Sequence, residues 1–204
     1  RDAILDLIKD GRIGPIKYDD FTDKIIVEGF ENRDLDNITS EINFTLNESI
    51  EDCRFTSKDW IKDSIKAIAM RNRFDSAQVW ANSLEWDQVS RLDRIFIDYL
   101  GAEDNQQNKE IARWFMVSVA KRIFQPGAPM DKCILLVGPQ GVGKSKIFKF
   151  MNPTYFQEYV ARPEDTRDLA AITMGRLILE LPEGTALERL SEERKKAFIT
   201  STED

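Results

Sequence analysis

Histidine is absent from the 204 residues, and cysteine occurs only at Cys53 and Cys133. These two shortages exclude a Cys/His zinc site, a His-based catalytic triad and a disulfide framework. Long hydrophobic runs are missing too: no apolar stretch approaches the ~20 residues needed to span a bilayer. The opening residues, Arg1-Asp2-Ala3, lack the basic segment and apolar run of a secretory leader. They also lack an initiator Met, which suggests an excerpt from a longer chain. A reducing, cytoplasmic setting without membrane contact is expected. There is no internal repeat and no low-complexity tract. What is present suffices for a core: 42% of residues are hydrophobic and 10% aromatic, over a length that suits one large or two modest domains.

Positive charge is in short supply, with 29 Lys+Arg against 36 Asp+Glu. The deficit is local. Residues 1–64 carry 9 Lys+Arg and 16 Asp+Glu, whereas residues 65–204 carry 20 of each. The acidic third reads as a solvated surface or as one that keeps nucleic acid away. The neutral remainder has to be read on its own terms.

Apolar spacing predicts a helix over residues 2–9, stopped at Gly11, then a turn from Tyr18 leading into a β-branched strand ending at Val27. Residues 34–51 signal a helix only weakly. Thr56 or Ser57 caps a predicted helix to about Arg71, with Trp60, Ile61, Ile65, Ile68 and Ala69 on one face. Further helices are predicted at about 91–100, ended by Gly101, and at about 106–124. Gln125-Pro126-Gly127-Ala128-Pro129 then breaks the pattern. Beyond it the grammar changes. Cys133 to Val137 is a short continuous apolar run, as in a buried parallel strand, and Cys133 reads as a packing residue there. Residues 146–151 continue as a helix stopped near Pro153. Further strands are predicted at 159–161 and 177–180, with helices at 165–172 and 187–199. This alternation predicts an α/β protein with a parallel sheet. The expected division is a small acidic α+β region at 1–55, a helical region at 56–128, and the first half of a nucleotide-binding core at 129–204.

One motif carries chemistry. Gly138-Pro139-Gln140-Gly141-Val142-Gly143-Lys144-Ser145 matches G-x-x-x-x-G-K-[ST] between a predicted strand and a predicted helix. Glycines let successive backbone N–H groups turn toward phosphate oxygens, and the helix start adds its dipole. Lys144 supplies a cation for the β- and γ-phosphates of ATP, and the Ser145 hydroxyl a ligand for Mg²⁺. Lys146 and Lys149 read as solvated helix residues or as phosphate and DNA contacts. Hydrolysis also needs carboxylates. Glu180 ends the apolar strand Leu177-Ile178-Leu179, where an unpartnered charge would be costly, so it is the candidate Mg²⁺ and water ligand. Glu183, three residues on, is the candidate base. A nucleotide-kinase reading lacks the Arg-rich lid such enzymes use. Trp60, Trp80, Trp86 and Trp114 read as core residues before base-stacking ones. Arg71, Arg73, Arg91, Arg94, Arg113, Lys121 and Arg122 offer basic positions, interrupted by Asp93 and Asp98.

Several segments recur in a recognisable order: Leu84-Glu85-Trp86-Asp87, Arg91-Leu92-Asp93, Asp98-Tyr99-Leu100-Gly101-Ala102, Ala112-Arg113-Trp114, Pro126-Gly127 and the glycine-rich loop. This order resembles virulence-associated protein E-like proteins, helicase-like ATPases of phages and genomic islands that are similar to superfamily 3 helicases. Tyr18-Asp19-Asp20-Phe21 and Lys196-Ala197-Phe198-Ile199-Thr200 extend the likeness over most of the chain, and Glu180-Leu181-Pro182-Glu183 resembles the family's acidic motif. The resemblance implies an AAA+-like P-loop ATPase in a bacterial cytoplasm, forming a homo-oligomeric, hexameric ring that moves single-stranded DNA and is often fused to a primase-polymerase. It therefore implies a helicase or translocase module, with a nucleotide-switched assembly protein that does not unwind as the alternative. Pro182 and Gly184 make the acidic turn unusual for the family. A sensor strand, a pore hairpin and an arginine finger are not found after Glu183, so the segment is expected to bind nucleotide better than it hydrolyses it.

Overall fold

The computed structural model describes residues 2–30, 33–49, 57–130, 132–159 and 173–182. Two compact units divide the chain, Arg1–Val79 and Trp80–Asp204, so the border falls inside the stretch read from sequence as one helical region.

In the first unit, α1 (Asp2–Lys9) buries Ile4 and Leu7 on one face. A hairpin follows, in which β1 (Ile16–Asp19) pairs antiparallel with β2 (Lys24–Val27), Ile16 opposite Val27 and Asp19 opposite Lys24. The Asp19 carboxylate shapes the turn by accepting from the Phe21 N–H at 3.2 Å and the Thr22 hydroxyl at 2.7 Å. Next, α2 (Leu35–Ser49) starts where Asp34 accepts the Asn37 N–H, which satisfies one free donor of the first turn. Its Ile38, Ile42 and Leu46 recur every four residues and are buried against Ile61, Ile65, Ile68 and Ala69 of α3 (Lys58–Ala69). That periodicity builds the core despite the polar composition of α2, which explains its weak signal in sequence: three well-spaced apolar residues suffice when a partner face receives them. Three elements were not foreseen: β1 takes Ile16–Asp19, where the sequence suggested a turn from Tyr18, and two more follow further along the chain. The short β3 (Arg73–Phe74) adds parallel to β1, and α4 (Ser76–Ser83) begins where Asp19 also accepts the Ser76 N–H at 2.9 Å.

The second unit is mainly helical. Helix α5 (Ile95–Leu100) ends at Gly101, whose φ of 69° is the left-handed stop expected there. Its predicted first turn instead forms a non-helical turn closed by Arg94 N–H to Arg91 O. Helix α6 (Gln106–Phe124) matches its predicted limits, capped by the Asn105 side chain accepting from Asn108 N–H at 2.8 Å. Then come α7 (Lys144–Met151), β4 (Phe156–Glu158) and β5 (Ile178–Glu180). The two strands pair in parallel, Phe156 beside Ile178 and Glu158 beside Glu180. The core gathers Phe96, Ala112 and Phe148, with Phe115 5.3 Å and Phe96 6.5 Å from Phe148 between ring centroids.

The fold is thus a mixture of seven helices and two small sheets among the described residues, rather than an open parallel sheet. The main departure is Cys133–Val137. It pairs with no described strand; Ile134 and Leu136 pack on the core, while Cys133 is exposed and Leu135 and Val137 are 82% and 87% exposed. A continuous apolar run predicts burial on both faces, yet a neighbouring layer is needed to realise it, and one face alone is covered here. Cys133 is accordingly not a buried packing residue. The second strand forms three residues earlier than predicted, its end marked by Tyr159 N–H donating to Glu180 O. The helices predicted at 165–172 and 187–199, and Glu183, lie outside the described residues. No helix among the described residues is long and apolar enough to cross a membrane.

Candidate functional site

The loop from Gly138 to Gly143 turns on two glycines, Gly141 and Gly143, with φ of 85° and 94°. These are conformations that only glycine adopts without strain, so the motif's spacing is a backbone requirement. The second of them leads straight into α7, with Gly143 O accepting the Ile147 N–H. The first N–H groups of that helix therefore have no intrahelical acceptor and, with the dipole, favour an anion. Lys144 folds back over the loop, donating to the carbonyls of Gly138 and Pro139, both at 2.8 Å. Its ammonium is held beside the backbone of the same loop.

The helix is fixed from below by packing. Phe148 is its buried anchor in the aromatic cluster, flanked by Ile147 and Met151. Beyond the helix, the buried Asn152 carboxamide oxygen accepts the N–H groups of Thr154 and Tyr155 at 2.9 and 3.0 Å, setting the turn into β4. Sequence reading treated Asn152 as a helix stop only; an Asn followed by Pro is the signal for such a turn. Because β4 pairs with β5, this turn also places Glu180.

The structure brings Ser145 and Glu180 together. The Ser145 hydroxyl donates to one Glu180 carboxylate oxygen at 2.6 Å across 35 residues of sequence. The other oxygen, Oε2, is buried and has no hydrogen-bond partner among the described residues. A buried orphan carboxylate oxygen beside a hydroxyl is the donor chemistry of a hard cation, and Mg²⁺ takes one or two protein oxygens and completes its shell with water and phosphate. The pair therefore fits Mg²⁺, and no group of three or more His, Cys, Asp or Glu offers another metal site among the described residues.

The basic positions fare differently. Arg91 holds Asp87 with two hydrogen bonds at 2.7 and 2.9 Å, and this guanidinium, helped by the Val89 N–H, lowers the Asp87 carboxyl to about 2. Arg94 pairs with Asp98 and Asp104, Arg113 with Asp93, and Arg73 with Asp20. These arginines build surface ion-pair networks. Arg122 donates to the Ala128 carbonyl. The tryptophans split: Trp80 packs edge-on to Tyr155 and Trp114 is half-buried, whereas Trp60 and especially Trp86, 74% exposed, lie outside any core. The core reading therefore fails for Trp60, which sits on the exposed side of α3, and for Trp86, in a stretch that forms no helix.

No curated protein matches the chain. A protein-family model does: the Virulence-associated protein E-like domain matches residues 81–204, covering the whole glycine-rich loop, Ser145 and Glu180. With more than half of its length matched, the chain belongs to the Virulence-associated protein E-like domain family.

Proposed function

We propose that this chain is the nucleotide-binding part of an ATP- and Mg²⁺-dependent DNA helicase or translocase serving a phage or other mobile element. The observation that carries this reading is the hydrogen bond between Ser145 and Glu180, which joins the end of the glycine-rich loop to a strand-end carboxylate whose second oxygen is buried and unpartnered among the described residues. Bound ATP would lie along the N–H groups of Gly141 to Ser145, its β- and γ-phosphates facing Lys144 once the lysine leaves the loop carbonyls. Ser145 and Glu180 would hold Mg²⁺, which supplies charge neutralisation at the phosphates. Glu180 orients water at the strand tip, and Glu183 is the proposed general base.

In the working protein we place this unit in a homo-oligomeric, hexameric ring around single-stranded DNA, with a primase-polymerase fused or associated. The full-length protein should show ATPase activity that single-stranded DNA stimulates and Lys144→Ala removes. Absence of that activity would overturn the reading. The second reading, a nucleotide-switched assembly protein without unwinding, is favoured by one observation: Arg91, Arg94 and Arg113 are committed to ion pairs with neighbouring carboxylates and so face no phosphate. ATP-driven strand displacement would reject it.

A further inference from the structure

The strands that carry Glu180 are too short to hold themselves in place. β4 and β5 span three residues each, and β5 pairs with no second strand among the described residues. A ladder of that length specifies register weakly. Yet register decides the site. Phe156 and Ile178 are ladder partners and both pack on the core, so Ile178 and Glu180, two residues apart, share the core-facing side of β5. A slip of one residue would carry Leu179 to that side and turn Glu180 away from Ser145.

Hydrogen bonds at the entrance to the two strands supply what the ladder lacks. The Tyr155 carbonyl accepts the Leu177 N–H at 2.9 Å and the Ile178 N–H at 3.3 Å. Arg176, two residues before β5, then sends its guanidinium back across the sheet. Its Nε donates to the Gln157 side-chain oxygen at 2.6 Å, and its Nη1 to the Thr154 carbonyl at 3.3 Å. The Arg176 N–H donates to the Thr173 carbonyl at 3.0 Å, which fixes the turn from which the side chain leaves. A planar guanidinium can grip two acceptors at once, which an ammonium on a flexible stem does poorly. Arg91, Arg94 and Arg113 each hold a carboxylate, whereas both acceptors that Arg176 reaches across the sheet are neutral. This arginine bridges strands.

We propose that Arg176 is a positioning residue for Glu180: its bonds to Gln157 and Thr154 lock β5 in register on β4 and keep the Glu180 carboxylate on the Ser145 hydroxyl. It acts through Glu180 alone. Its effect on a ligand therefore rests on the Mg²⁺ reading proposed above, whereas its effect on register does not. The glycine-rich loop and Lys144 are built without β5, so nucleotide binding in the absence of Mg²⁺ should not depend on Arg176. The Mg²⁺-dependent part should, because residues that orient a metal ligand typically account for about 10–100-fold in metal affinity.

Titration of a fluorescent ATP analogue into the 204-residue chain, in Mg²⁺ and in EDTA, tests this. Wild type should bind more tightly in Mg²⁺. Arg176→Ala should lower the affinity in Mg²⁺ by about 10-fold and leave the affinity in EDTA unchanged. Gln157→Ala should also lower it, and the double variant should lose no more than Arg176→Ala alone, since both changes break one bond. Gln157→Glu keeps an acceptor for the guanidinium and should bind like wild type. Hydrogen exchange reads register without ligand: the Tyr159 N–H donates to the Glu180 carbonyl at 2.8 Å, and its exchange should quicken about 10-fold in Arg176→Ala, as for one lost bond from a charged group. Arg176 is exposed, so the fold should survive its loss, which circular dichroism checks. Unchanged Tyr159 exchange overturns the proposal. Where wild type gains from Mg²⁺, so does an unchanged affinity in Arg176→Ala, an equal loss in Mg²⁺ and EDTA, or a Gln157→Glu variant as weak as the alanine one. If wild type binds no analogue, or binds it equally in Mg²⁺ and EDTA, while Tyr159 exchange quickens in Arg176→Ala, the nucleotide reading falls and the register role stands.

Discussion

Replacing Glu180 by Gln separates a structural carboxylate from a cation ligand. In the unliganded protein the Gln carbonyl still accepts the Ser145 hydroxyl that now bonds Glu180 at 2.6 Å, so that bond survives. The buried Oε2, which has no partner among the described residues, becomes a neutral amide nitrogen. An orphaned buried polar group costs about 1–3 kcal/mol, and more when it is charged. Glu180→Gln should therefore leave the unliganded protein unchanged or up to about 1 kcal/mol more stable. With Mg–ATP at a hundredfold excess over its dissociation constant, wild type should gain about 2.7 kcal/mol by mass action. For a unit of this size that is roughly 3–5 °C per kcal/mol, an upward shift of about 10 °C. Differential scanning fluorimetry should find this shift in the transition of Trp80–Asp204 and not in that of Arg1–Val79. In Glu180→Gln, ATP with Mg²⁺ and ATP with EDTA should give the same, smaller shift. The reasoning is refuted if the variant loses more than about 2 kcal/mol without ligand, or if it keeps the full Mg²⁺-dependent part.

Three further outcomes follow from the packing and charges. Phe148→Ala removes the buried anchor of α7 and should cost about 3–5 kcal/mol in urea unfolding followed by the tryptophan fluorescence of the second unit, with Phe148→Leu costing less than half of that. Asp19→Ala strips the acceptor from Phe21 N–H, Thr22 hydroxyl and Ser76 N–H at a site 1% exposed, and should destabilise the first unit by about 3 kcal/mol or more, read by hydrogen exchange at the hairpin and α4. The Asp87 carboxyl is lowered to about 2 by Arg91. A lowered folded pKa gives stability that is present above the unfolded value of ~3.9 and lost as pH falls through the folded one. The Asp87–Arg91 pair should thus persist at pH 4 and open only near pH 2, which a carboxylate NMR titration reads directly.

Much of this protein was legible without coordinates. The glycine spacing in Gly138–Ser145 states a backbone path, because φ near +90° at Gly141 and Gly143 excludes other residues. Gly101 and the apolar spacing of α6 wrote their helix limits in the same local terms. Glu180 was legible because a carboxylate ending an apolar strand demands a partner. Elements whose existence depends on a distant neighbour were not: β3 exists by pairing with β1, α4 starts on a carboxylate 57 residues away, and α2 is held by α3. For the same reason Cys133–Val137 looked buried and is covered on one face only, and Trp86 looked like core and is open.

The sequence by itself determined the local chemistry: a glycine-dependent backbone turn, a lysine and a hydroxyl after it, and an acidic strand end, since each follows from side-chain type and short-range dihedral limits. Only the tertiary structure decided which of these groups meet. The Ser145–Glu180 bond depends on the Phe148 anchor, the Asn152 turn and the β4–β5 pairing acting together, and tertiary packing likewise decided that Arg91, Arg94 and Arg113 sit in ion pairs while Trp86 and Phe150 are exposed. Burial and partnership are properties of space, and spacing along a chain specifies them only where both partners lie within one turn.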